Sequence, residues 1–175
     1  MMDSLELSTI LQKLFGHTKV NYAVVPCDGL EDINWNHFPV AIIANNQSQK
    51  HAGEHWLAIW CESRRGPFHF ICSYGLGIRS YDPVFLRTAE ELHMDVVENT
   101  RPLQSLGATC CGAYCAYALY KFYSGCCLMS LYHNFSNDTK SNDRKVVNFV
   151  NRFLRNPSKF YYKYQNQCCT PFGIQ

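Results

Sequence analysis

Between Gly112 and Tyr123 the chain reads GAYCAYALYKFY, apolar or aromatic all round, with Lys121 as its one charge. A helix without a polar face has to be enclosed by other elements rather than laid on a surface. The segment therefore predicts a buried central helix, and the rest of the chain must cover it. The composition provides the means, since 47% of the 175 residues are hydrophobic and 17% charged, which fills a core and excludes disorder. The 14% aromatic content predicts an interior rich in rings. The length suits one domain over 1–175.

The covering elements follow from local patterns. Ser4–Phe15 places Leu5, Leu7, Ile10, Leu11, Leu14 and Phe15 mostly at helical spacing. Asp3 and Glu6 form a capping box before it, and Gly16 ends it. Val40–Ala44, Trp56–Cys61 and Phe68–Ser73 read as buried strands, separated by a polar loop over 45–53 and by a charged turn at Arg64, Arg65, Gly66 and Pro67. Three such adjacent strands predict a mostly antiparallel sheet, and with the helices an α+β fold. Asp82 and Pro83 open a further helix as N-cap and first helical residue. Asp95–Asn99 adds a strand, and Asn142–Arg155 an amphipathic helix with Val146, Val147, Val150, Phe153 and Leu154 on its apolar side. The segment from about 156 to 175 reads as an irregular wrapping tail.

Nothing at the N-terminus reads as a signal peptide, and no run approaches the ~20 apolar residues of a membrane span. Ten cysteines without a signal point to a reducing compartment, or a particle assembled in one, and no secretion is expected. The adjacent pairs Cys126/Cys127 and Cys168/Cys169 lack Cys-x2-Cys spacing and make poor zinc geometry, so neither a metal nor another cofactor is expected. A net charge of +2 is too mild for a nucleic-acid footprint. Arg144, Lys145, Arg152, Arg155, Lys159 and Lys163 are locally dense, as a solvated helix face or as a contact for a polyanion.

Chemistry concentrates where the central helix begins. Cys111 stands at its start, where the positive end of the helix dipole lowers a thiol's pKa and favours thiolate. The nucleophile's own N–H supplies half of an oxyanion hole. The preceding loop (QSLGATCCG, 104–112) is built of small residues that let a substrate backbone approach, and the Gln104 amide can reach the same oxyanion. His55, in GEHWLAIW (53–60), stands at the mouth of a strand that would hold an imidazole rigidly. A Cys and a His far apart in sequence are the usual pattern of a thiol hydrolase. Taken singly, a Cys on an apolar helix is more often a packing residue, which is the reading for Cys110, and a His before a strand is more often surface or core.

These residues also carry a resemblance. AIIAN (41–45), GEHWLAIW (53–60), SYGL (73–76) and the Gln104–Cys115 stretch, with a Gln, six residues, then Cys-Gly-x-x-Cys, are similar to the adenain family of adenovirus maturation proteases and its relatives in virus-like transposons. The resemblance implies a fold of the papain-like, ubiquitin-like-protease class and peptide-bond hydrolysis through an acyl-enzyme. It assigns Cys111 as nucleophile, His55 as base and Gln104 to the oxyanion, with Trp56 shielding the imidazole and Gly112 following the nucleophile. Implied partners are polypeptides with glycines around the cut, such as capsid or core precursors of a virus or virus-like element. The implied locations are the host nucleus or cytoplasm and the virion. A monomer is implied, with an activating peptide or DNA as possible effectors. The family's cysteine tether for that peptide falls on His93, so a covalent link does not carry over. The family's acid, seventeen residues after the base, falls on Cys72. Cys72 is then a tolerated loss, a stand-in that acts as thiolate or through a water, or the mark of an inactive paralogue that only binds peptides or assembly partners. Asp82, the nearest downstream carboxylate, is better read as an N-cap. The expectation is reduced but real activity. A protease of ubiquitin-like modifiers is the alternative with the same fold.

Overall fold

The structure, a computed structural model, describes residues 2–161. Most of the expected wrapping tail, 162–175, thus lies outside the described residues; its first part differs from expectation in forming a short helix, Ser158–Tyr161.

The first helix, α1, spans Ser4–Phe15 with the anticipated capping box: the Asp3 carboxylate accepts from the Glu6 N–H at 2.8 Å, and the Glu6 carboxylate from the Asp3 N–H at 2.9 Å. Five strands follow, β1 (Asn21–Val25), β2 (Val40–Asn45), β3 (Trp56–Cys61), β4 (Phe68–Ile71) and β5 (Val96–Glu98), in the order β1-β2-β3-β4-β5. Only the central pairings β2–β3 and β3–β4 are antiparallel; β1 runs parallel to β2, and β5 to β4. The sheet is therefore mixed, not mostly antiparallel. Parallel neighbours need a long crossover. The chain provides one through the 3-10 turn Cys27–Asp32 and another through helix α2 (Pro83–Glu91).

Every residue of β2 and β3 is buried, because both faces of the sheet are covered. Alternation along the strands splits the core in two. Ala41, Ile43, Ala58 and Trp60 face the side of α1, α3 (Cys111–Tyr123) and α5 (Thr139–Arg155), whereas Val40, Ile42, Leu57, Ile59, Phe68 and Phe70 face the side of α2 and the 3-10 turn. In α3 all residues but Lys121 and Tyr123 are buried, as a helix without a polar face requires. A short helix α4 (Leu128–His133) leads into α5, whose N-cap Asp138 accepts from the Ser141 N–H. Phe149 of α5 meets Tyr117 and Tyr120 of α3 at ring separations of 5.1 and 4.7 Å. Val147 and Leu154, expected on the apolar side, are 39% and 38% exposed. Arg144, Lys145, Arg152 and Arg155 are solvent-facing. Among the described residues, no helix is long and apolar enough to cross a membrane.

Candidate active site

His55 immediately precedes β3, and its backbone is fastened to the end of β2: its N–H donates to Asn46 Oδ1 and its carbonyl accepts from the Asn46 N–H, both at 2.9 Å. Its ring packs between two tyrosines, Tyr74 with centroids 4.9 Å apart and Tyr81 at 6.2 Å, both stacked. Burial alone lowers its pKa from 6.5 to about 4, so at neutral pH the imidazole is uncharged. Its Nε2 lies 3.5 Å from Cys72 Sγ, so the two side chains are in contact. On its other side the same sulfur is 2.8 Å from the Tyr81 hydroxyl. Burial and the contact with Cys72 push the Tyr81 phenol up. Cys72, wholly buried, is held by its own peptide: Asn99 Oδ1 accepts from the Cys72 N–H at 2.8 Å, and Asn99 Nδ2 donates to the Cys72 carbonyl at 2.6 Å. Asp82 is the N-cap of α2, accepting from the Val84 N–H at 2.9 Å, so it is committed there.

After Cys72 the chain turns sharply. Gly75 has φ +72°, and a Cβ there would strike the Arg101 carbonyl carbon at 2.6 Å, so this turn requires glycine. The turn brings Ser73 and Tyr74 against the segment 103–104, where the Ser73 carbonyl accepts from the N–H groups of Leu103 and Gln104.

Cys111 is the first residue of α3 and is 2% exposed. The N–H groups of Trp56, Gly112 and Cys111 act on its sulfur and lower its pKa, as a helix start should, but burial outweighs them and the net shift is upward. The thiolate expected from the helix dipole is thus not the resting form; the resting pair is neutral thiol and neutral imidazole. Trp56, the residue following His55, packs in the same buried cluster as Cys111. Successive side chains alternate across a strand. So the indole of Trp56 joins the helix-side cluster containing Cys111, its Nε1–H donating to the Met2 carbonyl at 2.9 Å, while Tyr74 and Tyr81 cover the imidazole. Trp56 also lines a cavity of about 520 Å³ with Met2, Val25, Asn45, Gln47 and Gly53. Gly112 lets α1 approach the helix start: a Cβ there would lie 3.0 Å from Leu7 and 3.3 Å from Met2.

Gln104 is buried at 2% exposure and braces the loop. Its Oε1 accepts from the Ser73 hydroxyl at 2.6 Å, and its Nε2 donates to the Ala108 carbonyl at 2.6 Å and the Tyr74 hydroxyl at 3.3 Å. To serve an oxyanion, the amide must give up one of these partners. His93, at the position of the family's tether, lies exposed at the end of α2 in a left-handed conformation, φ 55°. Among the described residues no group of three or more His, Cys, Asp or Glu side chains is placed to hold a metal ion. Sequence reasoning missed Tyr81, Asn99 and Asp143, which accepts from Ser105 and Tyr114 beside the site.

No protein-family model matches the chain, and no curated protein matches it. The functional reading therefore rests on the site's own geometry and on the motifs.

Proposed function

We propose that the chain is a thiol endopeptidase of the papain-like class and the adenain kind, with Cys111 as nucleophile and His55 as general base. The observation that carries this reading is the shared neighbourhood of the two residues: Tyr74, stacked on the His55 ring, also feels Cys111, and Trp56, the residue after His55, packs in the same buried cluster as Cys111. The buried imidazole is neutral, and Cys72 lies 3.5 Å from its Nε2. A mixed sheet with a buried helix on one face, beginning at Cys111, supports the class.

In this reading Nε2–H is donated to Cys72 Sγ, which leaves Nδ1 as the basic nitrogen. As the substrate carbonyl approaches, His55 takes the Cys111 proton and the sulfur forms the C–S bond. The tetrahedral oxyanion is met by the Cys111 N–H and, once released from Ala108 or Tyr74, by the Gln104 amide. The imidazolium then returns its proton to the leaving amine as the C–N bond breaks, and a water deprotonated by His55 hydrolyses the thioester. A neutral thiol stabilises an imidazolium less than a carboxylate does, so turnover is reduced but present. Substrates are polypeptides cut beside glycines, such as capsid or core precursors of a virus or virus-like element, which places the protein in the host nucleus or cytoplasm and in the particle. An activating peptide or DNA would act by making the neutral resting pair easier to ionise.

The competing reading, a peptide-binding module without turnover, draws on Cys72 and on that neutral pair. Cleavage of peptides with Gly-Gly sites by wild type, Cys111→Ala and His55→Ala separates the two. The protease reading expects turnover that both substitutions remove; binding of the peptides by all three without cleavage would establish the module.

A further inference from the structure

Two thiols stand side by side at the start of α3, and their surroundings differ. Cys110, the N-cap residue, turns its sulfur toward α5, where it donates to Asp143 Oδ1 at 3.4 Å. The same carboxylate grips the loop that leads to the helix: Oδ2 accepts from the Ser105 hydroxyl, and both oxygens lie 3.4 Å from the Ser105 nitrogen. The Tyr114 hydroxyl, 2.9 Å from Asp143 Oδ1 and 2.8 Å from the Leu103 carbonyl, shares its proton between them. The neighbouring Asn142 donates to that carbonyl too, at 3.1 Å. One turn of α5 thus holds the loop 103–110 at both ends.

A carboxylate facing a thiol disfavours a second negative charge. Burial, then the charge of Asp143 and its hydrogen bond, push the Cys110 thiol up to about 12. The titratable groups facing Cys110 are Asp143 and Tyr114, the adjacent Cys111, Tyr74, and Glu6 of α1 across a cavity of about 310 Å³ that Cys110 lines.

We propose that Asp143 is a positioning residue that makes Cys111 the only reactive thiol of the pair, holding Cys110 as a neutral donor turned to α5 and fixing the loop that carries Gln104. This rests on the reading of Cys111 as nucleophile. Asp143→Asn removes the charge but keeps one accepting oxygen, so it can serve Tyr114 and Cys110 or Ser105, not both sides as the carboxylate does. Asp143→Glu, which keeps the charge and both oxygens, is therefore its paired control, and the pH dependence of Cys110 labelling is a readout that a mere tether would not move.

The test is site-resolved alkylation with iodoacetamide, read by peptide mass mapping, beside peptide cleavage. In wild type Cys111 should label at least about tenfold faster than Cys110. In a Cys111→Ala background, Asp143→Asn should raise Cys110 labelling roughly threefold or more, while Asp143→Glu, which keeps the charge, leaves it slow. In the otherwise intact enzyme, Asp143→Asn should lower kcat severalfold with KM little changed. Unchanged Cys110 labelling in folded Asp143→Asn overturns the proposal. Should that variant not fold, Cys111→Ala alone decides. Its Cys110 labelling should keep rising past pH 10, and levelling near the ordinary thiol value of 9.0 overturns the proposal. Absence of wild-type cleavage with the labelling shift intact would instead sink the protease reading and leave the role of Asp143 standing.

Discussion

On the sheet side of the site, His55 and Cys72 sit next to strand ends and are fixed through backbone: Asn46 on His55, Asn99 on the Cys72 peptide. On the loop side, Gln104 and Cys110 sit in irregular chain; beyond the Ser73 carbonyl that takes the Gln104 N–H, side-chain contacts hold them, with Ser73 and Tyr74 from one direction and Asp143 from the other. His55 is thereby placed by strand register, which tolerates little change, and the loop 103–110 by polar contacts that can be exchanged. In the proposed protease this division would hold the imidazole still while the loop admits a peptide.

The sharpest break of the comparison is chemical. Cys111→Ala or His55→Ala should lower kcat/KM by ~10³-fold or more, whereas Cys110→Ala, on the same turn, should stay within about threefold of wild type because a packing thiol has no part in the chemistry. Peptide-cleavage kinetics on the three variants check this.

The sheet side should answer in stability rather than turnover. Asn99→Ala removes the partners of a buried N–H and a buried carbonyl at Cys72. Each orphaned group costs about 1–3 kcal/mol, so roughly 3 kcal/mol is expected. For a domain of this size that is a drop of roughly 10 °C in Tm, measurable by thermal melting.

Acid should weaken the same side. The folded pKa of His55 is lowered from 6.5 to about 4, so between those values the unfolded chain binds a proton that the native state refuses. Stability then rises with pH across this window and is lost as pH falls through it, by ~3 kcal/mol in full. Burial also lowers His69, so His55→Gln should flatten the slope in denaturant titrations only in part.

A smaller effect sharpens the role of Cys72. Cys72→Asp restores a charged acceptor 3.5 Å from the Nε2 position and should raise turnover severalfold. No gain would mean that the stacked rings of Tyr74 and Tyr81 already orient the imidazole. The smallest expected change is Asp3→Ala, which removes one half of the α1 capping box at a cost of about 1 kcal/mol.

Strand β3 was legible to the residue because an uninterrupted apolar run ends in charge at Glu62 and begins after a polar loop. The buried helix was legible for a similar reason, since twelve residues with one charge leave few alternatives. β1 was not: five partly buried residues, NYAVV, gain their identity from pairing with β2, which local pattern does not report. The mixed sheet follows from that pairing and from β5, so the antiparallel expectation failed with them. Motif and spacing single out Cys111 and His55, and their chemical roles stay with the proposal. Asn99 lies 27 residues from Cys72 and Asp143 33 from Cys110, and in sequence both look like ordinary polar positions. The thiol's ionisation was misjudged because the helix start can be read from sequence whereas the depth of burial cannot.

The central claim, that Cys111 attacks with His55 as its base, is tested most directly by intact-mass and peptide mapping after incubation with a Gly-Gly peptide vinyl sulfone. The account predicts a single adduct, on Cys111, formed quickly by wild type and at least about a hundredfold more slowly by His55→Ala. An adduct on another cysteine, or one on Cys111 whose rate ignores His55, would contradict it.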